Sequence, residues 1–169
     1  EVLNTAMHRI KCIASVHALL SRDWFGRNIV NLQDLVLEIV NMYRGMSMEV
    51  ATKLESVSIP YNDAISVALV TNELISNCVK HAFPDGAPGS KIVIELCGAV
   101  SEVTLSVRDN GVGMDRRIDP ASAQSVGMSI IRVVVAELRG AVRYLPAEPR
   151  GTEALVRFQR QRYPPVADV

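Results

Sequence analysis

The sequence predicts an α+β domain: a mostly antiparallel sheet with helices on one face. Three observations predict it. Apolar residues recur at three- and four-residue spacing through most of the first half. Short β-branched runs separated by turn residues fill the second half. With 169 residues, 49% hydrophobic and 21% charged, the chain can build one core of useful size.

The elements follow in order. Val2 to about Arg22 is expected to be one long amphipathic helix, with Leu3, Ala6, Met7, Ile10, Ile13, Ala14, His17 and Leu20 on its stripe. Trp24, Phe25 and Gly26 break it, and they are read as packing residues at a junction. Asn31 is an N-cap candidate for a second helix whose apolar face is Leu32, Leu35, Val36, Ile39, Val40 and Tyr43, with Gly45 as its stop. Val50 to Ser58 alternates weakly and reads as a strand. Ile59 to Asp63 reads as a turn, and Ala64 to about His81 as a long, largely buried helix. The run from Pro84 to Gly89 is a loop. Lys91–Leu96 and Val103–Val107 read as hairpin strands, Val126–Leu138 as a helix stopped by Gly140, and Ala141–Leu145 and Glu153–Phe158 as the last strands. The tail after Arg160, with Pro164 and Pro165, is expected to fray. No internal repeat or low-complexity stretch occurs.

Charge and cysteine content exclude several classes. Lys+Arg and Asp+Glu are 18 each, so no bulk field attracts nucleic acid. No apolar run approaches the roughly 20 residues that span a bilayer, and no secretory signal pattern occurs. Cys12, Cys78 and Cys97 are odd in number and have no His at ligand spacing, against both a disulfide framework and a zinc site. The chain reads as reduced and cytoplasmic. Its start at Glu1 is the mark expected of a piece cut from something longer.

Three spots carry chemistry. In Asn72–His81, the residues Glu73, Asn77 and Lys80 (or His81) share one helix face, a polar stripe that is costly to bury without partners. A solvent-facing stripe is the plain alternative. In Asp109-Asn110-Gly111-Val112-Gly113, a strand-closing Asp precedes two glycines that let backbone approach a ligand; a tight turn with an Asx cap is the plain alternative. Ser125-Val126-Gly127-Met128 opens a helix whose free N–H groups suit an anion, or whose Gly serves packing. Gly151-Thr152 precedes the last strand. Neither a G-x-G-x-x-G dinucleotide fingerprint nor a Walker loop is present.

In this order and spacing, the motifs resemble the N, G1, G2 and G3 boxes of the GHKL ATPases, which include gyrase, histidine kinases, MutL and a heat-shock chaperone of the same fold. The resemblance runs from about Asn31 to Phe158. The run Asn72 to Gly86 is similar to the N box of sensor histidine kinases with an H-R-x-K-N phosphoacceptor box. It implies the Bergerat ATP-binding fold, a two-layer sandwich with a mixed, mostly antiparallel sheet. It also implies roles. Asn77 would hold Mg²⁺ on the ATP phosphates. Glu73 would act as general base or polarise an acceptor imidazole. Lys80, beside His81, would contact phosphate. Asp109 would accept from the adenine amino group, and Gly111 and Gly113 would let the nucleotide near the backbone. Asp115 to Val126 would be a short ATP lid, Gly127 (next to Met128) would offer N–H groups to phosphate, and Thr152 would lie near adenine. Ser125 stands where many relatives have Gly, and Cys78 where a small Ala is common.

The acceptor itself is expected upstream. His8-Arg9-Ile10-Lys11 looks like H-R-x-K, but Cys12 follows where Asn belongs, and too few helical residues remain before Trp24. Arg9 to Leu20 instead resembles the second helix of a dimerisation hairpin. His17 reads as a half-buried face residue. The expected domains are 1–26 as that helix, 27–160 as the ATP-binding domain and 161–169 as a tail. The expected function is transfer of the ATP γ-phosphoryl group to a histidine, for relay to a response regulator aspartate. The whole protein would be a homodimer through its hairpin, and the piece monomeric or weakly associated, without nucleic-acid or membrane contact. Three rivals remain. An anti-sigma-type serine kinase would lack the Val2–Leu20 stripe. A non-catalytic scaffold would not need Glu73, Asn77, Asp109, Gly111 and Gly113. A hydrolytic ATPase would need a downstream transducer domain.

Overall fold

The computed structural model describes residues 29–84, 86, 89–114 and 125–160, together with Met7, Ile10, Lys11, Ile13, Ala14 and Ala18. Those six early residues are all helical and exposed. His8, Cys12, His17, Trp24, Phe25, most of the expected lid and the tail after Arg160 lie outside the described residues.

The chain runs β1 (Ile29–Asn31), α1 (Leu32–Asn41), β2 (Glu49–Leu54), β3 (Ser58–Pro60), α2 (Tyr61–Asn77), a π-helical turn (Cys78–Ala82), β4 (Lys91–Gly98), β5 (Glu102–Asp109), α3 (Val126–Glu137), β6 (Ala141–Pro146) and β7 (Thr152–Gln159). Five strands form one sheet in the order β2-β4-β5-β7-β6. The β2–β4 pair is parallel and every other pair in that sheet is antiparallel. This is the expected mixed, mostly antiparallel sheet.

Alternation places Ile92, Ile94 and Leu96, then Val103, Leu105 and Val107, then Ala154, Val156 and Phe158 on the face that meets the helices. Burying an Ile or Leu of this kind stabilises the fold by roughly 1.5–3 kcal/mol. Asn31 caps α1 as expected: its Oδ1 accepts from the Gln33 amide at 2.9 Å. The buried face of α1 is Leu32, Leu35, Val36, Ile39 and Val40.

Two expectations are corrected between residues 50 and 64. The single strand from Val50 to Ser58 is two strands in two sheets. Val57 is buried and its carbonyl accepts from the Leu32 amide at 2.8 Å, so the chain leaves β2 and crosses to pair β3 with β1. The turn expected at Ile59–Asp63 is the end of that strand followed directly by helix. Pro60 occupies the N-cap position of α2, and Asp63 sits in the first turn, where the helix dipole favours an acid. No helix among the described residues is long and apolar enough to cross a membrane.

Candidate functional site

A cavity of about 430 Å³ lies between α2 with its π-helical turn, the start of α3, and the ends of β5, β6 and β7. Helix α2 presents Leu74, Asn77, Cys78, His81 and Ala82 to it, positions that recur at helical spacing. The sheet presents Val107, Asp109, Tyr144, Thr152 and Ala154, and the start of α3 adds Ser125 and Met128. Gly113 and Met114 complete the lining.

Asp109 is the one carboxyl group of the lining among the described residues and is only 5% exposed. Three features of the sequence place it. It closes β5, paired with Ile92 across the ladder. Its Oδ1 accepts from the Gly111 amide at 2.8 Å and from the Thr152 amide at 3.2 Å. The second bond needs β7 to start very close to the Asp109 backbone. Gly151 allows this with φ +115°, and a Cβ there would collide with the Asp109 carbonyl. Oδ2 is left toward Cys78, whose thiol donates to it at 3.7 Å.

Burial and then the Asp109 carboxylate push the Cys78 thiol well above the ordinary range. Burial also pushes the Tyr144 hydroxyl up to about 12, against the lowering effect of Arg132. Both groups are therefore neutral donors around neutral pH. Tyr144 donates to the Met128 sulfur at 3.3 Å, tying β6 to the first turn of α3.

The polar stripe of α2 divides. Glu73 is 2% exposed and sits one position round from the cavity-lining face. Its Oε1 accepts from Asn72 Nδ2 at 3.5 Å, and Asn72 Oδ1 accepts from the Tyr43 hydroxyl at 2.8 Å. The first turn of α3 packs over this group: a Cβ on Gly127 would stand 2.8 Å from Glu73 Oε2 and 3.5 Å from Asn77 Oδ1. Glu73, Asn77 and Gly127 are thus brought together. His81 lines the cavity; Lys80 is exposed and does not. Ser125 caps α3, accepting from the Met128 amide at 3.2 Å.

Gly111 is buried and outside the lining, with no room for a Cβ against Ala82. The Val112 amide beside it donates to the Ala82 carbonyl at 3.0 Å. Gly113, at φ +82°, does line the cavity. Sequence reasoning did not find Leu74, Val107, Tyr144 or Ala154, because apolar and aromatic residues of α2 and the sheet look like ordinary core. Gly151 was legible as a turn and as part of the Gly-Thr motif of the family resemblance, but its close approach to the Asp109 backbone was not.

Residues 62–162 match the family model described as histidine kinase-, DNA gyrase B-, and HSP90-like ATPase. The chain belongs to this ATPase family. Its ligand class is therefore ATP, as the motif order implied. The sensor histidine kinase PdtaS of Mycobacterium tuberculosis is 27% identical over 161 residues, which is 93% of this chain and 32% of PdtaS. The chain thus spans about a third of that relative. The nitrate/nitrite sensor protein NarX of Escherichia coli is 31% identical over 100 residues, 59% of this chain and 16% of NarX. In fold, the chain is similar to the histidine kinase domain of the Erythrobacter litoralis blue-light activated kinase EL346. The TM-score is 0.81 at 18% identity, covering 91% of this chain and 74% of that one. Sensor kinases thus stand among the relatives of this ATPase-family domain.

Proposed function

We propose that this domain binds Mg·ATP and serves a sensor histidine kinase, moving the γ-phosphoryl group to a histidine of the whole protein for relay to a response regulator aspartate. One observation carries the reading: a buried carboxylate, held by two backbone amides, turns its second oxygen into an otherwise largely apolar cavity. That is the chemistry required to read the amino group of a purine.

Each residue has a task in this reading. Asp109 Oδ2 accepts from the adenine amino group, while Leu74, Val107, Met114 and Ala154 exclude water around the base. Gly113 and Thr152 lie beside it. Asn77 supplies the neutral oxygen of a hard-cation site, which fits magnesium shared with phosphate oxygens. Magnesium, when bound, neutralises phosphate charge. No cluster of three or more His, Cys, Asp or Glu suited to a metal occurs among the described residues, and this reading assigns the protein's donor to Asn77. Lys80, His81 and the first amides of α3 at Gly127 face the phosphate end. Glu73, oriented by Asn72, takes or polarises the proton of the acceptor imidazole.

The reading extends to the whole chain. Residues 1–26 act as one helix of a dimerisation hairpin, 27–160 as the catalytic domain and 161–169 as a tail. Exposed, helical Met7, Ile10 and Ile13 support a missing helical neighbour. Use of ATP supports a cytoplasmic setting for the domain. Calorimetry with ATP, with and without Mg²⁺, tests the proposal. Magnesium-dependent binding is expected. If ATP does not bind, the non-catalytic scaffold is the better reading. Acid-labile phosphate on the full-length protein then tests the kinase step.

A further inference from the structure

Cys78 has no task in the scheme above, yet it occupies a telling place. It lines the cavity directly after Asn77, is 8% exposed, and its thiol donates to Asp109 Oδ2. Asp109 Oδ1 is already taken by the Gly111 and Thr152 amides. The cavity floor therefore sets an acceptor, Oδ2, beside a donor, the S–H group, 3.7 Å away. The S–H group is a weak donor, and it already donates to a carboxylate oxygen here.

The Watson–Crick edge of adenine carries a donor, the N6 amino group, next to an acceptor, N1. Guanine carries the reverse, an O6 acceptor next to an N1–H donor. We propose that Cys78 is a specificity-determining residue of the nucleotide site, its thiol donating to adenine N1 while Asp109 Oδ2 accepts from the N6 amino group. This rests on the ATP reading above and deepens it. Rotation of the S–H bond about Cβ–Sγ is sufficient: the amino group replaces the thiol on Oδ2, and the thiol turns to N1. Guanine sets acceptor against acceptor and donor against donor at both positions, leaving buried polar groups unpaired. The Thr152 hydroxyl lies on the same cavity and is the competing donor.

The test compares ATP with 1-deaza-ATP, in which N1 is a C–H group, by calorimetry on the wild-type chain and on Cys78→Ala, Cys78→Ser and Thr152→Val. The wild-type chain is expected to bind 1-deaza-ATP about three- to tenfold more weakly than ATP. Cys78→Ala is expected to bring that ratio to about one, and Cys78→Ser to restore it. Thr152→Val, whatever its effect on ATP affinity, is expected to leave the ratio at its wild-type value. Equal binding of the two nucleotides by the wild-type chain overturns the proposal. So does an unchanged ratio in Cys78→Ala, or a ratio lost in Thr152→Val. A wild-type chain that binds no ATP overturns the underlying nucleotide reading instead, which separates the two failures.

Discussion

The floor of the cavity and its α3 wall are held in different ways. Asp109 lies in a strand paired on both sides, to β4 and to β7, and two backbone amides fix its carboxylate. The α3 wall rests on side-chain packing. Ser125 caps only its own helix, Tyr144 reaches Met128, and Gly127 lies against the Glu73 carboxylate. In the proposed function, backbone register positions the base-reading group and replaceable side-chain contacts position the phosphate end. The difference teaches that the Asp109 carboxylate is pre-organised, whereas the surroundings of Glu73 and Asn77 depend on how one helix seats.

Four experiments break or sharpen that contrast. The largest effect is expected for Gly151→Ala. A side chain there is strained at φ +115° and collides with backbone that cannot yield, so urea unfolding should show a loss of about 3 kcal/mol. Asp109→Asn comes next. Its carboxamide can satisfy the two amides with its oxygen but then turns an NH₂ group toward the base, setting donor against donor. Calorimetry should record at least about a hundredfold loss of ATP affinity, with circular dichroism unchanged. On the other wall, Ser125→Ala removes a cap and should cost about 1 kcal/mol of stability, with ATP affinity falling less than tenfold. If Ser125→Ala instead weakens ATP as much as Asp109→Asn does, the contrast between the walls is wrong.

The smallest effect concerns Asp63, remote from the cavity. Burial raises its pKa, with Arg139 opposing. A raised carboxyl pKa means the folded chain binds the proton more tightly than the unfolded chain does. The stabilising contribution is therefore complete below the unfolded pKa and is lost as pH rises through the folded one. Asp63→Asn should accordingly raise the urea midpoint slightly at neutral pH, and the gap should close in acid. A gap that widens in acid would contradict the sign.

The elements with strong local signals were legible. The capped helix α1, the β4–β5 hairpin, and Asp109 with its glycines all declare themselves in consecutive residues. What was illegible depends on distant pairing. At three residues, β1 is too short for alternation, and it exists because Ser58–Pro60 lies beside it. Tyr144 reads as a strand aromatic until the β6–β7 register aims it at Met128. Helical spacing could not choose between Lys80 and His81; only the placement of α2 against the sheet puts His81 on the cavity.

The contact between Ala82 and the turn after β5 has a mechanical consequence. The Val112 amide is tied to the Ala82 carbonyl, and Gly111 leaves no slack between the two segments. The turn that carries Gly113 and Met114 is therefore fastened to the helix end that carries His81. The two rims of the cavity are thus riveted at one point, and a side chain at position 111 would prise them apart.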